Sequence, residues 1–275
     1  MVDKQSKINQ LKSKAKACVA TKVDIPMSPL WNMGQAAKYS SNNNFQELQD
    51  ALHYLACKAQ ANTLGQNYKF TDDDKELLIE LYEAFWWGGR YKGLPEAAKL
   101  ADYYVNGDGS LLKIDSEVYE NSIVVKETMK AMKLYILELR KKKVFYMKLK
   151  CSNPGFMAKS YAKKLRYLNF RTEGKMKSNG VLEAAQNDQR LHKADGHFYL
   201  EATSIALPNK KIKTTWSVDS VYDFEPFEKQ MYYSEIPLGK FDLVLYDGLS
   251  EYMVRLGIAK VFSYRAEWSE IWDVE

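Results

Sequence analysis

The texture of the chain changes at residue 144, and that change limits the folds open to it. Before it, apolar residues recur at three- and four-residue spacing. Phe45, Leu48, Leu52, Leu55 and Ala59 fall on one helical face, and Leu77, Leu78, Leu81, Tyr82 and Phe85 form the stripe of another. After it, "VFYMKLKC", "HFYLEATSIAL", "KIKTTWSV", "FDLVLYD" and "KVFSYRAEW" are rich in aromatic and β-branched residues and partly alternate, which predicts mostly antiparallel strands. Helices first and strands afterwards predict an α+β chain, with a helical N-terminal half and a mostly antiparallel, β-rich C-terminal half, rather than a parallel α/β one. Of its 275 residues 46% are apolar and only 7 are proline, so the chain has the means to bury a core.

Punctuation sets the expected boundaries. Residues 1–19 read as a polar helix with frayed ends and 20–43 as loop, giving an N-terminal helical and loop region over 1–66. A larger domain over 67–275 follows, helical over 67–143 and β-rich over 144–275. Thr71 can cap the helix of "TDDDKELLIELYEAFWW", with Asp74 three residues on as a capping-box-like partner. Gly88 and Gly89 are expected to end that helix. Pro95 opens the next, "GDG" at 107–109 stops it, and a longer helix is expected over about 120–141, its basic end Arg140–Lys143 suiting the negative pole of the helix dipole. The stretch 156–190 fits helix or loop.

Several function classes lose their sequence support. No apolar run approaches the ~20 residues needed to cross a bilayer. The first twenty residues lack the apolar core of a secretory signal, so the expectation is a chain made in the cytoplasm and exported, if at all, by other machinery. Cys18, Cys57 and Cys151 lie far apart without paired metal spacing, as reduced thiols would. No P-loop, dinucleotide glycine fingerprint, HExxH or GxSxG occurs. Charge is uneven: residues 141–178 carry twelve Lys or Arg against the single acid Glu173, a positive face suited to nucleic acid, a phosphorylated headgroup or an anionic membrane, or simply to solvent.

Two polar constellations stand out. His192, Asp195, His197 and Glu201 cluster in "LHKADGHFYLE", and on a strand His197 and Glu201 would share a face. Their side chains suit a divalent metal or a general base, while a polar turn at Ala194–Gly196 explains the same letters. The second is "WSVDSVYDFE". On a strand Asp219 and Asp223 point one way and Tyr222 the other, and a turn or bulge near Ser220 would bring all three together. Paired carboxylates hold Mg²⁺ or divide acid and base roles; a polar turn is the plainer reading.

Three blocks, "LYEAFWWGGRYKG", "SVDSVYDFE" and "VRLGIAKVFSYRAEW", resemble in the same order the activity region of colicin M-type bacteriocins. These toxins cut the peptidoglycan precursor lipid II between its undecaprenyl lipid and its pyrophosphate. The resemblance spans about residues 75–275. It implies a toxin-like domain with catalytic residues Asp219, Tyr222 and Asp223, with His197 or His192 as proton-transfer group. It also implies Mg²⁺ at Asp219 and Asp223, and substrate contacts at Lys229 and Arg255.

Tyr222 and Asp223 match the family's Tyr-Asp pair. Ser220 stands at the family's acid two residues before the tyrosine, with Asp219 beside it, and Lys229 and Gln230 stand at its His-Arg pair. A fold kept while its chemistry changed is therefore an equal alternative. Implied partners are a lipid-linked cell-wall precursor, a cognate immunity protein, a secretion apparatus such as type VI, and the membrane surface of the target cell, with action in its periplasm. The competing readings are a non-enzymatic membrane-perturbing or partner-binding toxin using Trp86, Trp87, Trp268 and Trp272, and a nuclease.

Overall fold

Segments of helical period form helices and segments of alternating period form strands, so the protein is α+β, helical first and β-rich afterwards. The structure, a computed structural model, describes residues 4–20, 46–91, 94–151, 198–224, 226–227, 233–237 and 242–274. The sequence-read stretches 20–43 and 156–190 fall largely or wholly outside these. Contacts divide the chain into two units, Met1–Gly109 with Asp223–Val261 and Ser110–Tyr222 with Phe262–Glu275. No described helix is long and apolar enough to cross a membrane.

In the first unit, α1 (Lys4–Ala20) looks polar yet buries Ile8, Leu11, Ala15 and Cys18, a three-four-three spacing, where it packs with α2 (Gln46–Thr63) and α3 (Asp72–Tyr91). Leu48, Leu52, Leu55 and Ala59 of α2 are fully buried, as are Leu77, Leu78 and Leu81 of α3. Helix α3 runs through Gly88 and Gly89 to Tyr91, past the stop expected there. Intrahelical hydrogen bonding tolerates a glycine pair at about 1 kcal/mol per residue, so its propensity alone does not end a helix.

The capping box forms. The Asp74 N–H donates to Thr71 Oγ1 at 3.2 Å, and the Thr71 N–H donates to Asp74 Oδ2 at 2.9 Å. Asp74 does more than cap. Its Oδ2 also accepts from Lys58 Nζ of α2 at 2.7 Å and its Oδ1 from Cys18 Sγ of α1 at 3.3 Å, all three buried. One carboxylate thus joins three helices. Burial pushes Asp74 up, but the Lys58 hydrogen bond, the Thr71 N–H, the Lys58 charge and the Cys18 thiol outweigh it and hold the carboxyl below its ordinary value. Burial, then the Asp74 charge, pushes Cys18 up to about 12.

Helix α4 (Pro95–Asn106) starts with Pro95 in its first turn and packs against α3. Tyr104 OH donates to the Ser250 carbonyl at 2.8 Å, in α7 (Asp247–Arg255). Strands β5 (Tyr233–Pro237) and β6 (Asp242–Tyr246) pair antiparallel beside these helices.

The second unit is a five-stranded sheet ordered β1-β7-β4-β3-β2, from β1 (Leu112–Lys113), β2 (Tyr146–Cys151), β3 (Tyr199–Leu207), β4 (Lys211–Tyr222) and β7 (Phe262–Asp273). All its pairs are antiparallel except β1 with β7. Helices α5 (Glu117–Asn121) and α6 (Ile123–Lys141) are separated by Ser122, whose Oγ caps α6 by accepting from the Val125 N–H at 3.2 Å. The single helix expected from about 120 therefore begins at 123.

Even positions of β4 face the core. Ile212, Trp216 and Val218 meet Val118, Tyr119, Val125, Met132 and Ile136 of the helices, with Leu200, Ala202 and Ala266. Polar groups within this core are paired: Trp216 Nε1 donates to Glu270, Trp272 Nε1 to Thr214, and the Ser204 and Thr214 hydroxyls meet at 2.9 Å. Trp268 and Trp272 pack against the core from its margin.

Candidate functional site

Strand pairing decides what "WSVDSVYDFE" can assemble. β4 pairs with β7 without interruption from Lys211 to Tyr222, so no bulge occurs at Ser220 and every side chain keeps its parity. Ser220 and Tyr222 take the core-facing parity; Asp219 takes the other. Asp219 and Tyr222 therefore lie on opposite faces of the sheet. Tyr222 stacks on its cross-strand partner Phe262, centroids 5.3 Å apart and planes at 25°. Asp223 follows the strand, exposed, as the first residue of the segment that returns to the first unit.

On its own face Asp219 stands directly across from Arg265, and Arg265 Nε donates to Asp219 Oδ1 at 2.6 Å. The side chains are 24% and 45% exposed, so the pair meets solvent. That hydrogen bond and the Asp219 charge, with Glu267 and Glu201 adding to them, raise the Arg265 pKa and keep the guanidinium charged. Register extends the pair into a row across four strands: Tyr199 faces Asp219, Asp219 faces Arg265, and Arg265 faces Lys113. Directly paired residues project from the same side, so phenol, carboxylate, guanidinium and ammonium stand side by side. The adjacent row sets Glu201, Ser217 and Glu267 abreast, with Lys148 Nζ 3.4 Å from Glu201.

Sequence reasoning missed Arg265 and Lys113. Arg265 lies 46 residues from Asp219, inside "KVFSYRAEW", and nothing local marks it; only its cross-strand register does. Arg255, the arginine expected to bind substrate, ends α7 and donates to Glu251 at 2.9 Å, four residues back. His192, Asp195, His197, Lys229 and Gln230 lie outside the described residues, as do the side chains of Trp86 and Trp87. His53 of α2 stands with Nδ1 3.5 Å from the Tyr246 hydroxyl, whose pKa burial and the nearby Cys57 push up to about 12.

Asp219 and Asp223, expected to hold Mg²⁺, lie four residues apart, Asp219 within β4 and Asp223 just past its end. Asp219 Oδ1 is taken by Arg265, and among the described residues no group of three or more His, Cys, Asp or Glu side chains comes together to hold a metal. The row sets two cations, Arg265 and Lys113, on one face with a phenol and a carboxylate, and Asp219 holds the Arg265 guanidinium through Nε. No protein-family model, no curated protein and no solved structure matches the chain.

Proposed function

We propose that the protein is an antibacterial effector that acts on a lipid-linked pyrophosphate of cell-wall synthesis, lipid II or a close relative. The observation that carries this reading is the Tyr199–Asp219–Arg265–Lys113 row, which joins two of the three sequence blocks resembling colicin M through one direct ion pair. Arg265 and Lys113 neutralise charge on the pyrophosphate, and the Tyr199 hydroxyl donates to a phosphate oxygen. Asp219 is the positioning residue of Arg265. Asp223 orients the attacking water, and His197 is the proton-transfer group. Hydrolysis adds water across the bond between lipid and pyrophosphate, releasing undecaprenol and the pyrophosphorylated sugar. Delivery by a secretion apparatus and neutralisation by an immunity protein belong to the same proposal.

Expression in a bacterial host, with and without a periplasmic export signal, tests it. Killing is expected only on export, with undecaprenol accumulating, and is expected to be lost in Arg265→Gln and Asp223→Ala chains that remain folded. Killing from the cytoplasm with degraded nucleic acid, or variants as toxic as the parent, would overturn it.

A further inference from the structure

The corner between α6 and β2 carries a cluster that neither the fold nor the proposed site uses. Helix α6 ends in a Schellman motif: the Val144 N–H donates to the Leu139 carbonyl at 3.1 Å and the Lys143 N–H to that of Arg140 at 2.9 Å. The motif needs a left-handed residue before Val144, and that residue is Lys143, at φ 62°. Glycine takes this conformation without the Cβ clash, so the corner holds a charge where the backbone favours none.

Immediately after it Val144, Phe145 and Tyr146 are all exposed, Phe145 at 56% and Tyr146 at 61%. Tyr146 faces Ile205, itself exposed, which extends the apolar surface onto β3. Cations surround these residues. The Arg140 guanidinium lies 4.3 Å from the Phe145 ring centroid, and Lys141, Lys142, Lys143 and Lys148 are exposed. Glu138 and Glu201 pair with Lys141 and Lys148, while Lys142 and Lys143 have no acidic partner among the described residues. The helix dipole accounts for basic residues at a C-terminus, and lysine on an edge strand discourages aggregation. Neither accounts for three large exposed apolar side chains among them.

We propose that this corner docks on an anionic lipid bilayer, its lysines on the headgroups and Phe145 and Tyr146 in the interface. Charge complementarity selects that occupant, and an apolar phenylalanine and an amphipathic tyrosine beside lysines are suited to the boundary between headgroup and acyl chain. The choice of a bilayer rests on the proposed lipid-linked substrate, which such a surface would present. Tyr199 and Ile205 lie six residues apart on β3, so the two sites stand at a separation on the order of 20 Å and can be disabled independently.

Co-sedimentation of the full chain with vesicles tests this, comparing phosphatidylglycerol mixed into phosphatidylcholine with phosphatidylcholine alone, both free of lipid II. Binding is expected only to the anionic vesicles and is expected to fall in high salt. Each lysine removed should weaken it about fivefold, so Lys142→Gln/Lys143→Gln should lose about twenty-five-fold, and Phe145→Ser/Tyr146→Ser at least as much. Lys143→Gly separates charge from folding: it should bind about fivefold more weakly while being no less stable. Equal binding by all variants, no binding to anionic vesicles, or tighter binding of duplex DNA through the same residues would overturn the proposal. Vesicle binding without lipid II cleavage would keep this inference and sink the catalytic reading.

Discussion

Replacing Asp74 by asparagine keeps the shape of the side chain and one oxygen to accept from the Thr71 N–H, but removes the charge and puts an NH2 donor in place of the oxygen that accepts from Cys18. Lys58, 2.7 Å away, would then be a buried ammonium facing a neutral amide, both positions being under a tenth exposed in the parent. Breaking one side of a buried ion pair costs about 3–5 kcal/mol, a large share of the ~5–15 kcal/mol that stabilises a typical domain. Lys58→Met removes the complementary charge, and the double variant leaves neither stranded. The cycle of Lys58→Met and Asp74→Asn should therefore show a coupling of about 2–3 kcal/mol in urea unfolding followed by far-UV circular dichroism at pH 7.

The acid limb tests the same pair independently. The folded Asp74 pKa lies below the unfolded one, so its stabilisation is complete above the ordinary aspartate value, about 3.9, and is lost as pH falls through the folded pKa. Asp74→Asn should lack that part of the slope. Singly additive effects, or a coupling under about 0.5 kcal/mol, would refute the account of Asp74 as the charged hub of three helices.

At Gly248 a Cβ would sit 2.5–2.7 Å from ring atoms of the buried Phe227, so Gly248→Ala should cost about 1–3 kcal/mol in thermal unfolding, and Phe227→Leu should recover part of it. Lys143→Gly should stabilise by about 0.5–1 kcal/mol, the left-handed penalty of a Cβ-bearing residue less the extra chain entropy of glycine, measured by chemical denaturation. With its pKa at about 12, Cys18 at pH 8 is thiolate in roughly one part in ten thousand. A disulfide reagent followed by peptide mass mapping should modify the half-buried Cys57 and spare Cys18 until denaturant is added.

Local signals read correctly from the sequence where one short window held the whole cause. The Thr71–Asp74 box, Pro95 at a helix start and the alternation of β4 are of this kind. Distant partners are not: nothing near Asp74 announces Lys58, sixteen residues earlier, and nothing near Asp219 announces Arg265. Asp219 and Ser220 carry turn-like letters yet lie in strand because β7 pairs with them across the sheet, and tertiary pairing outweighs weak β-propensity. The two-residue β1 was illegible for the same reason, since "LK" is a strand only by virtue of its parallel contact with Tyr264 and Arg265. Convergence of Asp219 with Tyr222 required a bulge that the uninterrupted register of β4 with β7 does not contain, and that register is set by a strand 40 residues further on.

The longest pairing in the sheet joins two strands separated by the whole return segment of the first unit, residues 223–261. A ribosome extruding this chain delivers Lys211–Tyr222 well before Phe262–Asp273, its future neighbour. During that interval one rim of β4, twelve residues long, offers unclaimed backbone donors and acceptors to any extended peptide nearby. Biosynthesis thus opens a window of vulnerability that the finished protein no longer displays, and slower translation across 223–261 should widen it.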